Sequence, residues 1–193
     1  MDQSLDQTFF YRRPEVVARA LIGVRLMIDG VGGMIVETEA YDAADPASHS
    51  FRGPTARNAA MFGLPGRAYV YRIYGLHWCL NFVCSAPGET GGAVLVRALE
   101  PEAGVEAMMA RRGMADRRRL CAGPGRLCQA LGVTGELDGA ALDARPFALT
   151  PPTLGGTEVA VGTRIGITKG AETAWRFGAA RSPFLSAPFR DPV

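Results

Sequence analysis

VETEAYDAADPASHS, Val36 to Ser50, and RAYVYRIYGLHWCLNFV, Arg67 to Val83, are the two stretches on which the fold turns. Both hold short runs rich in β-branched and aromatic residues, closed by Asp, Gly, Pro and Ser, which is the signature of strands rather than of helix. In a strand side chains alternate between faces, so Glu37, Glu39 and Tyr41 share one side. In the second stretch, Ala68 to Ile73 and Leu76 to Cys84 flank Tyr74-Gly75, a hairpin signal because glycine tolerates positive φ. Tyr69, Tyr71 and Ile73 then share one face, and Val70, Arg72 and Tyr74 the other.

Outward from this centre, Val24 to Ile28 and Met34 to Tyr41 read as strands joined by the turn Asp29-Gly30-Val31-Gly32-Gly33. Before them, Arg13-Pro14-Glu15 opens a helix with apolar Val16, Val17, Ala20 and Leu21, and Gly23 stops it. Asp42 to Pro65 reads as a long irregular segment of the kind that carries function. Ala93 to Leu99 is a further strand, and Pro101 is expected to begin the helix PEAGVEAMMARR that Gly113 ends. Gly123-Pro124-Gly125 leads into the short helix RLCQALGV. Val159 to Thr168 reads as the last strand, followed by a turn-rich tail. The elements mix strands with separate helices, an α+β pattern.

The chain has 193 residues, 48% hydrophobic content and a mean hydropathy of +0.06, which fits one globular domain with a real core. No apolar run approaches the ~18 residues of a membrane span, and the N-terminus lacks the order of a signal peptide. The expected location is cytoplasmic, or nucleoid-associated in a bacterium. Cys79, Cys84, Cys121 and Cys128 show no Cys-x-x-Cys spacing and read as buried thiols. With two histidines and no matched ligand set, a metal site is not expected.

Net charge is +2, from 21 basic and 19 acidic residues. Lys169 is the only lysine. Arg111, Arg112, Arg117, Arg118, Arg119 and Arg126 form a cluster opposed locally by Asp116 alone. Such a cluster either neutralises phosphates or is a solvated helix end and loop. Arg97 lies inside the apolar run GAVLVRALEP. A guanidinium buried there needs a partner, since desolvating an unpaired charge costs several kcal/mol. Glu39 or Glu37 can supply it, either as a core salt bridge or as an acid and arginine holding one water. The tyrosines of the second stretch are either cross-strand packing or a ligand cage. Tyr74 at a hairpin tip is exposed, and an apolar wedge beside arginines suits insertion between base steps.

Glu-Thr-Glu-Ala-Tyr, then His-Ser, Arg-Asn, Met-Phe, Tyr-Val-Tyr-x-x-Tyr-Gly, Asn and Leu-x-Arg-Ala-Leu-Glu-Pro follow one another in an order that resembles the alkyladenine (3-methyladenine) DNA glycosylase family. Leu120 to Leu131 and Arg164-Ile165-Gly166-Ile167 agree with it, so the likeness spans roughly Phe10 to Ser186. The resemblance implies a single mixed α+β domain over residues 1–193. Its features would be a curved antiparallel β-sheet, surrounding helices, a protruding β-hairpin and a flexible N-terminal tail over residues 1–9. It implies that Glu39 is the general base, that Arg97 helps hold the attacking water, and that Tyr41, His49 and Tyr71 stack on a flipped base. By the same likeness Asn81 obstructs guanine's exocyclic amino group and Tyr74 enters the duplex. Leu76 and His77 extend the wedge, and Arg111 and Arg112 are candidate DNA contacts.

The implied activity is monofunctional hydrolysis of the N-glycosidic bond of damaged purines in double-stranded DNA, by a monomer without cofactor, metal, membrane or obligate protein partner. Strand scission would need an amine, and only Lys169 and the N-terminus could supply one. Two other readings stay open: a module that binds distorted duplex without turnover, and a nucleosidase acting on free nucleosides.

Overall fold

The computed structural model describes residues 4–152 and 157–189. Among these, eight strands build one antiparallel sheet. They are β1 (Arg25–Ile28), β2 (Val31–Tyr41), β3 (Ala68–Ile73), β4 (His77–Val83), β5 (Ala93–Ala103), β6 (Phe147–Thr150), β7 (Val159–Gly162) and β8 (Arg176–Ala179). The order is β3-β4-β5-β2-β1-β6, with β8 pairing both β2 and β7. Three helices pack on the sheet: α1 (Pro14–Ala20), α2 (Val105–Arg112) and α3 (Pro124–Leu131).

β2 and β5 form the spine, paired from Gly32↔Ala103 to Tyr41↔Ala93, and their register shifts between Gly32 and Gly33 and on both sides of Glu37. Such bulges bend a strand and increase its twist. The bend lets one edge of β2 serve two partners: Val31 to Met34 pair with β1, and Glu37 to Glu39 pair with β8. The sheet therefore curls around the middle of β2.

Alternation gives the sheet two different faces. Val70, Leu80, Phe82, Val94, Val96 and Ala98 join the main core, which holds Phe10, Leu21, Leu26, Ile35, Leu99, Met108 and Leu127. From the same strands, Tyr69, Val83 and Ala93 form a second small cluster with Met61 on the other side. α1 follows from Pro14 at its start, and α2 and α3 end at Gly113 and Gly132, both in the left-handed region (φ 61 and 75). All four cysteines are buried and free. Among the described residues no helix is long and apolar enough to cross a membrane.

Several boundaries differ from the sequence reading. The first turn is only Asp29-Gly30, both at positive φ (48 and 78), and Gly32 and Gly33 lie inside β2. These glycines serve close approach: a Cβ on Gly33 would sit 1.9 Å from the Glu100 carbonyl oxygen. Pro101 to Ala103 continue β5, and α2 begins only after Gly104, whose left-handed φ of 67 turns the chain. The strand expected over Val159 to Thr168 stops at Gly162, and a further strand, β8, lies in the expected tail. β8 is buried at all four positions, so it shows no alternation to read. Residues 4–9, expected as flexible, are packed: the Leu5 amide donates to the Leu149 carbonyl at 2.8 Å, and Leu5 and Phe9 pack on the core. Residues 1–3 lie outside the described residues.

Gly33→Ala should force β2 and β5 apart and lower the unfolding free energy by about 1–3 kcal/mol, the usual cost of overpacking. Gly30→Asn, in open space and in a conformation asparagine tolerates, should change it far less in the same urea titration.

Candidate active site

On the face away from the helices, Leu95 and Arg97 of β5, Cys79 and Asn81 of β4, and Tyr69, Tyr71 and Ile73 of β3 form the floor of a cavity of about 240 Å³. Tyr41, the irregular segment through Ala47, Ser48 and His49, and residues Ile165 to Ile167 close its sides. The volume is below the roughly 300–1,000 Å³ of clefts for drug-sized ligands. It suits one small ring system.

Behind this floor lie two carboxylates with no solvent exposure, Glu37 and Glu39. Arg97 bridges them, with Nε 3.3 Å from Glu37 Oε1 and Nη1 3.1 Å from Glu39 Oε2. The partner left open by the sequence is thus both acids. An ionised carboxylate offers about four lone-pair sites. Glu37 accepts four hydrogen bonds, three at Oε1 from Arg97, Arg176 Nε (2.7 Å) and Ser186 Oγ (2.8 Å), and one at Oε2 from the Ser186 amide. Glu39 accepts three. Its Oε2 accepts from Arg97 and the Tyr41 hydroxyl (2.8 Å), and its Oε1 from the Ile165 amide alone (2.7 Å). All three of these donor residues line the cavity. Burial works to lower the proton affinity of Arg97, but Glu39 and Glu37 outweigh it and the net shift is upward. Burial, reinforced by the Glu39 charge, raises the Tyr41 phenol well above its ordinary range.

The aromatic side is a stack of rings. His49 meets Tyr71 edge-on at 4.5 Å between centroids, and Tyr69 lies 5.4 Å from Tyr71 at an interplanar angle of 31°. His49 Nδ1 and the Tyr69 hydroxyl are 2.9 Å apart and share a hydrogen bond. Burial, helped by the nearby Arg57, lowers the basicity of His49. Burial pushes the Tyr69 phenol up to about 12. Asn81 donates Nδ2 to the Tyr69 carbonyl at 3.1 Å.

β3 runs directly from the cavity into the hairpin tip. Ile73 lines the cavity, and Tyr74 follows it at φ 53, a strained value for a non-glycine residue. Tyr74 is 87% exposed and Leu76 72%. The base of the hairpin is held firmly: exposed His77 packs so close to Gly125 at the start of α3 that a Cβ there would lie 2.9 Å from that of His77. Arg72 sits over the Trp78 ring at 5.5 Å.

Arg111 and Arg112 lie elsewhere. Arg111 donates to the Ala130 carbonyl (2.9 Å), and Arg112 to the Leu120 carbonyl (3.2 Å) and the Gln129 side chain (2.5 Å). They clasp the C-terminal end of α3, whereas its first residue, Pro124, is the one that lines the cavity. The cations beside the cavity are Arg52, Arg57 and Lys169, which share a groove of about 330 Å³ with His49 and Tyr69. Sequence reasoning weighed Lys169 only as an amine for strand scission and assigned no role to Arg52, Arg57, Asp45, Arg164, the Ile165 amide or Arg176. Arg164 and Arg176 carried a visible signal, each a charge isolated among apolar and small residues as Arg97 is. Among the described residues no group of three His, Cys, Asp or Glu side chains is placed to hold a metal ion.

The sequence model of the family described as methylpurine-DNA glycosylase (MPG) matches residues 8–183. A Nitrosospira multiformis protein named "Putative 3-methyladenine DNA glycosylase" is 60% identical over 176 residues, covering 91% of this chain and 90% of its own. Proteins of the same name from Rhizobium etli (57% over 184 residues, 95% and 89% covered) and Rhodopseudomonas palustris (56% over 186, 96% and 92%) are similar along nearly the whole length.

Glu37→Ala should lower stability by about 3–5 kcal/mol in urea, because it strips Arg176 of its carboxylate and Arg97 of one of two. Glu89→Ala, which breaks an exposed pair with Arg13, should cost about 0–1 kcal/mol.

Proposed function

Because this chain belongs to the methylpurine-DNA glycosylase family, we propose that it is a monofunctional DNA glycosylase of base excision repair with Glu39 as general base. The observation that carries this reading is where the donors to the two buried acids lie. Glu37 is held also by Arg176 and Ser186, which do not line the cavity, while Arg97, Tyr41 and Ile165, the donors to Glu39, all line it, and Glu39 Oε1 accepts from a single donor. A water bound there, and oriented with the help of Arg97, attacks C1′ of a nucleotide turned out of the duplex. The O–C1′ bond forms, the C1′–N9 bond breaks, the proton passes to Glu39, and an abasic sugar remains.

Alkylation at N3 or N7 already makes the purine a good leaving group, so the protein's task is mainly positioning. Tyr41, His49 and Tyr71 hold the extruded base. Stacking contributes roughly 1–3 kcal/mol per base, comparable to the cost of unstacking it. The electron-rich ring faces favour a cationic alkylpurine further. 3-Methyladenine is the first substrate on this reasoning, with hypoxanthine and etheno-adenine as further candidates, and Asn81 disfavours guanine-type bases. Tyr74 and Leu76 fill the gap left in the stack, with His77 at their base. Arg52, Arg57 and Lys169 run beside the cavity mouth and contact the phosphates flanking the extruded nucleotide, with Arg111 and Arg112 as outer contacts. Duplex DNA is the only partner required, and one chain carries the whole site. The enzyme acts where DNA is, in the cytoplasm and at the nucleoid of a bacterium.

Single-turnover release of base from duplexes carrying hypoxanthine or etheno-adenine, and from methylated DNA, should fall by about 10²–10⁴-fold in Glu39→Gln, with duplex affinity retained. Wild-type protein that binds such duplexes but leaves no alkali-labile site would instead be a binding module. His49 gives a second test. Its proton affinity lies below the ordinary 6.5, so the ring is neutral at pH 7 and becomes charged only as pH falls below that value. Excision of a cationic base such as 3-methyladenine should then decline more steeply with acid than that of hypoxanthine. His49→Gln should remove the difference between the two pH profiles.

A further inference from the structure

Ile165 gives its amide to Glu39, and Ile165, Gly166 and Ile167 wall the cavity, yet residues 163–170 belong to no strand or helix. What holds this segment is Arg164, whose side chain is fully buried. Its Nη1 donates to the Ala40 carbonyl (3.0 Å) and to Asp45 Oδ2, and its Nη2 donates to Asp45 Oδ1 (3.0 Å) and to the Gly170 carbonyl (3.1 Å). The guanidinium also lies 4.7 Å from the Tyr41 ring centroid and 5.5 Å from that of Trp175. One cation therefore ties together the end of β2, the irregular segment after it and the segment that carries the Ile165 amide.

A buried guanidinium is costly unless well paired, and here Nε is left without a partner among the described residues. The bidentate bond to Asp45, itself buried, offsets that cost and fixes the plane of the group. A surface loop would need neither. We propose that the Asp45–Arg164 pair is a positioning element for Glu39: it presses the Ile165 amide onto Oε1 and so decides which lone pair stays open to water, while seating the Tyr41 ring beside the cavity. This rests on Glu39 being the general base. Neither Asp45 nor Arg164 touches the substrate; both act through Ile165 and Tyr41.

The test uses Asp45→Asn and Arg164→Lys, the second keeping the charge but unable to reach Asp45, Ala40 and Gly170 at once. Leu142→Ala, a cavity in the main core, controls for lost stability alone. Two quantities are measured: hydrogen-exchange protection of the ¹⁵N-labelled Ile165 amide, and the single-turnover rate of base release beside affinity for a duplex with a stable abasic analogue. Both site variants should lose the protection and release base about 100-fold more slowly at unchanged affinity, as a misplacement of this kind does. Leu142→Ala should melt earlier but keep rate and protection. Protection retained in both site variants, or lost with the rate unchanged, would overturn the proposal alone. Wild-type protein that releases no base would overturn it together with the glycosylase reading.

Discussion

Two carboxylates and two guanidiniums, Glu37, Glu39, Arg97 and Arg176, lie buried behind a cavity, and everything on that face of the sheet is arranged to satisfy them. Charges removed from water are tolerated only when fully paired, so the constraint reaches far along the chain. It requires β5 beside β2 for Arg97, β8 on the other edge for Arg176, and the C-terminal segment folded back so that Ser186 completes Glu37. The bulges on both sides of Glu37 bend β2 at the very place where its edge passes from β1 to β8. Burial of Glu37 thus holds the sheet together, and Glu39, two residues on, inherits a rigid setting.

That arrangement divides labour between the faces of the same strands. Leu80 and Phe82 pack under the helices while Cys79 and Asn81 face the cavity; Val94, Val96 and Ala98 are core while Leu95 and Arg97 are site. Substitutions on one face act on stability and on the other on the cavity, with Arg97 and the two acids belonging to both. The site is therefore built on strands rather than loops on its floor, and only its sides depend on irregular segments pinned by buried polar groups.

What could be read in the sequence follows from this division. β3 is a short β-prone run before Tyr74-Gly75, so the shared face of Tyr69, Tyr71 and Ile73 and the exposed tip at Tyr74 were legible from residue spacing. Arg97 stood out because a charge inside an apolar strand must have a partner, and Glu37 and Glu39 were in view. The Ile165 amide was not, because a backbone donor leaves no mark in sequence and it meets Glu39 across 126 residues. Arg176 was missed with its strand, since β8 is buried on both faces and its glycine, alanine and arginine resemble a loop. Gly32 and Gly33 looked like a turn because close backbone approach and positive φ call for the same residue. The arginines at 111 and 112 were conspicuous by number, yet they clasp a helix end, whereas the cations beside the cavity are scattered singly through the irregular segments.

A geometric link between cavity and wedge follows from β3 as well. Tyr71 in the cavity floor and Tyr74 at the tip are three residues apart on one chain. His77 against Gly125 and Arg72 over Trp78 pack the hairpin at its root. Under the proposed reading, the place a nucleotide leaves and the place its base is received are then set by a single strand. The strained φ of Tyr74 fits such a use, because strained backbone is found chiefly at functional sites.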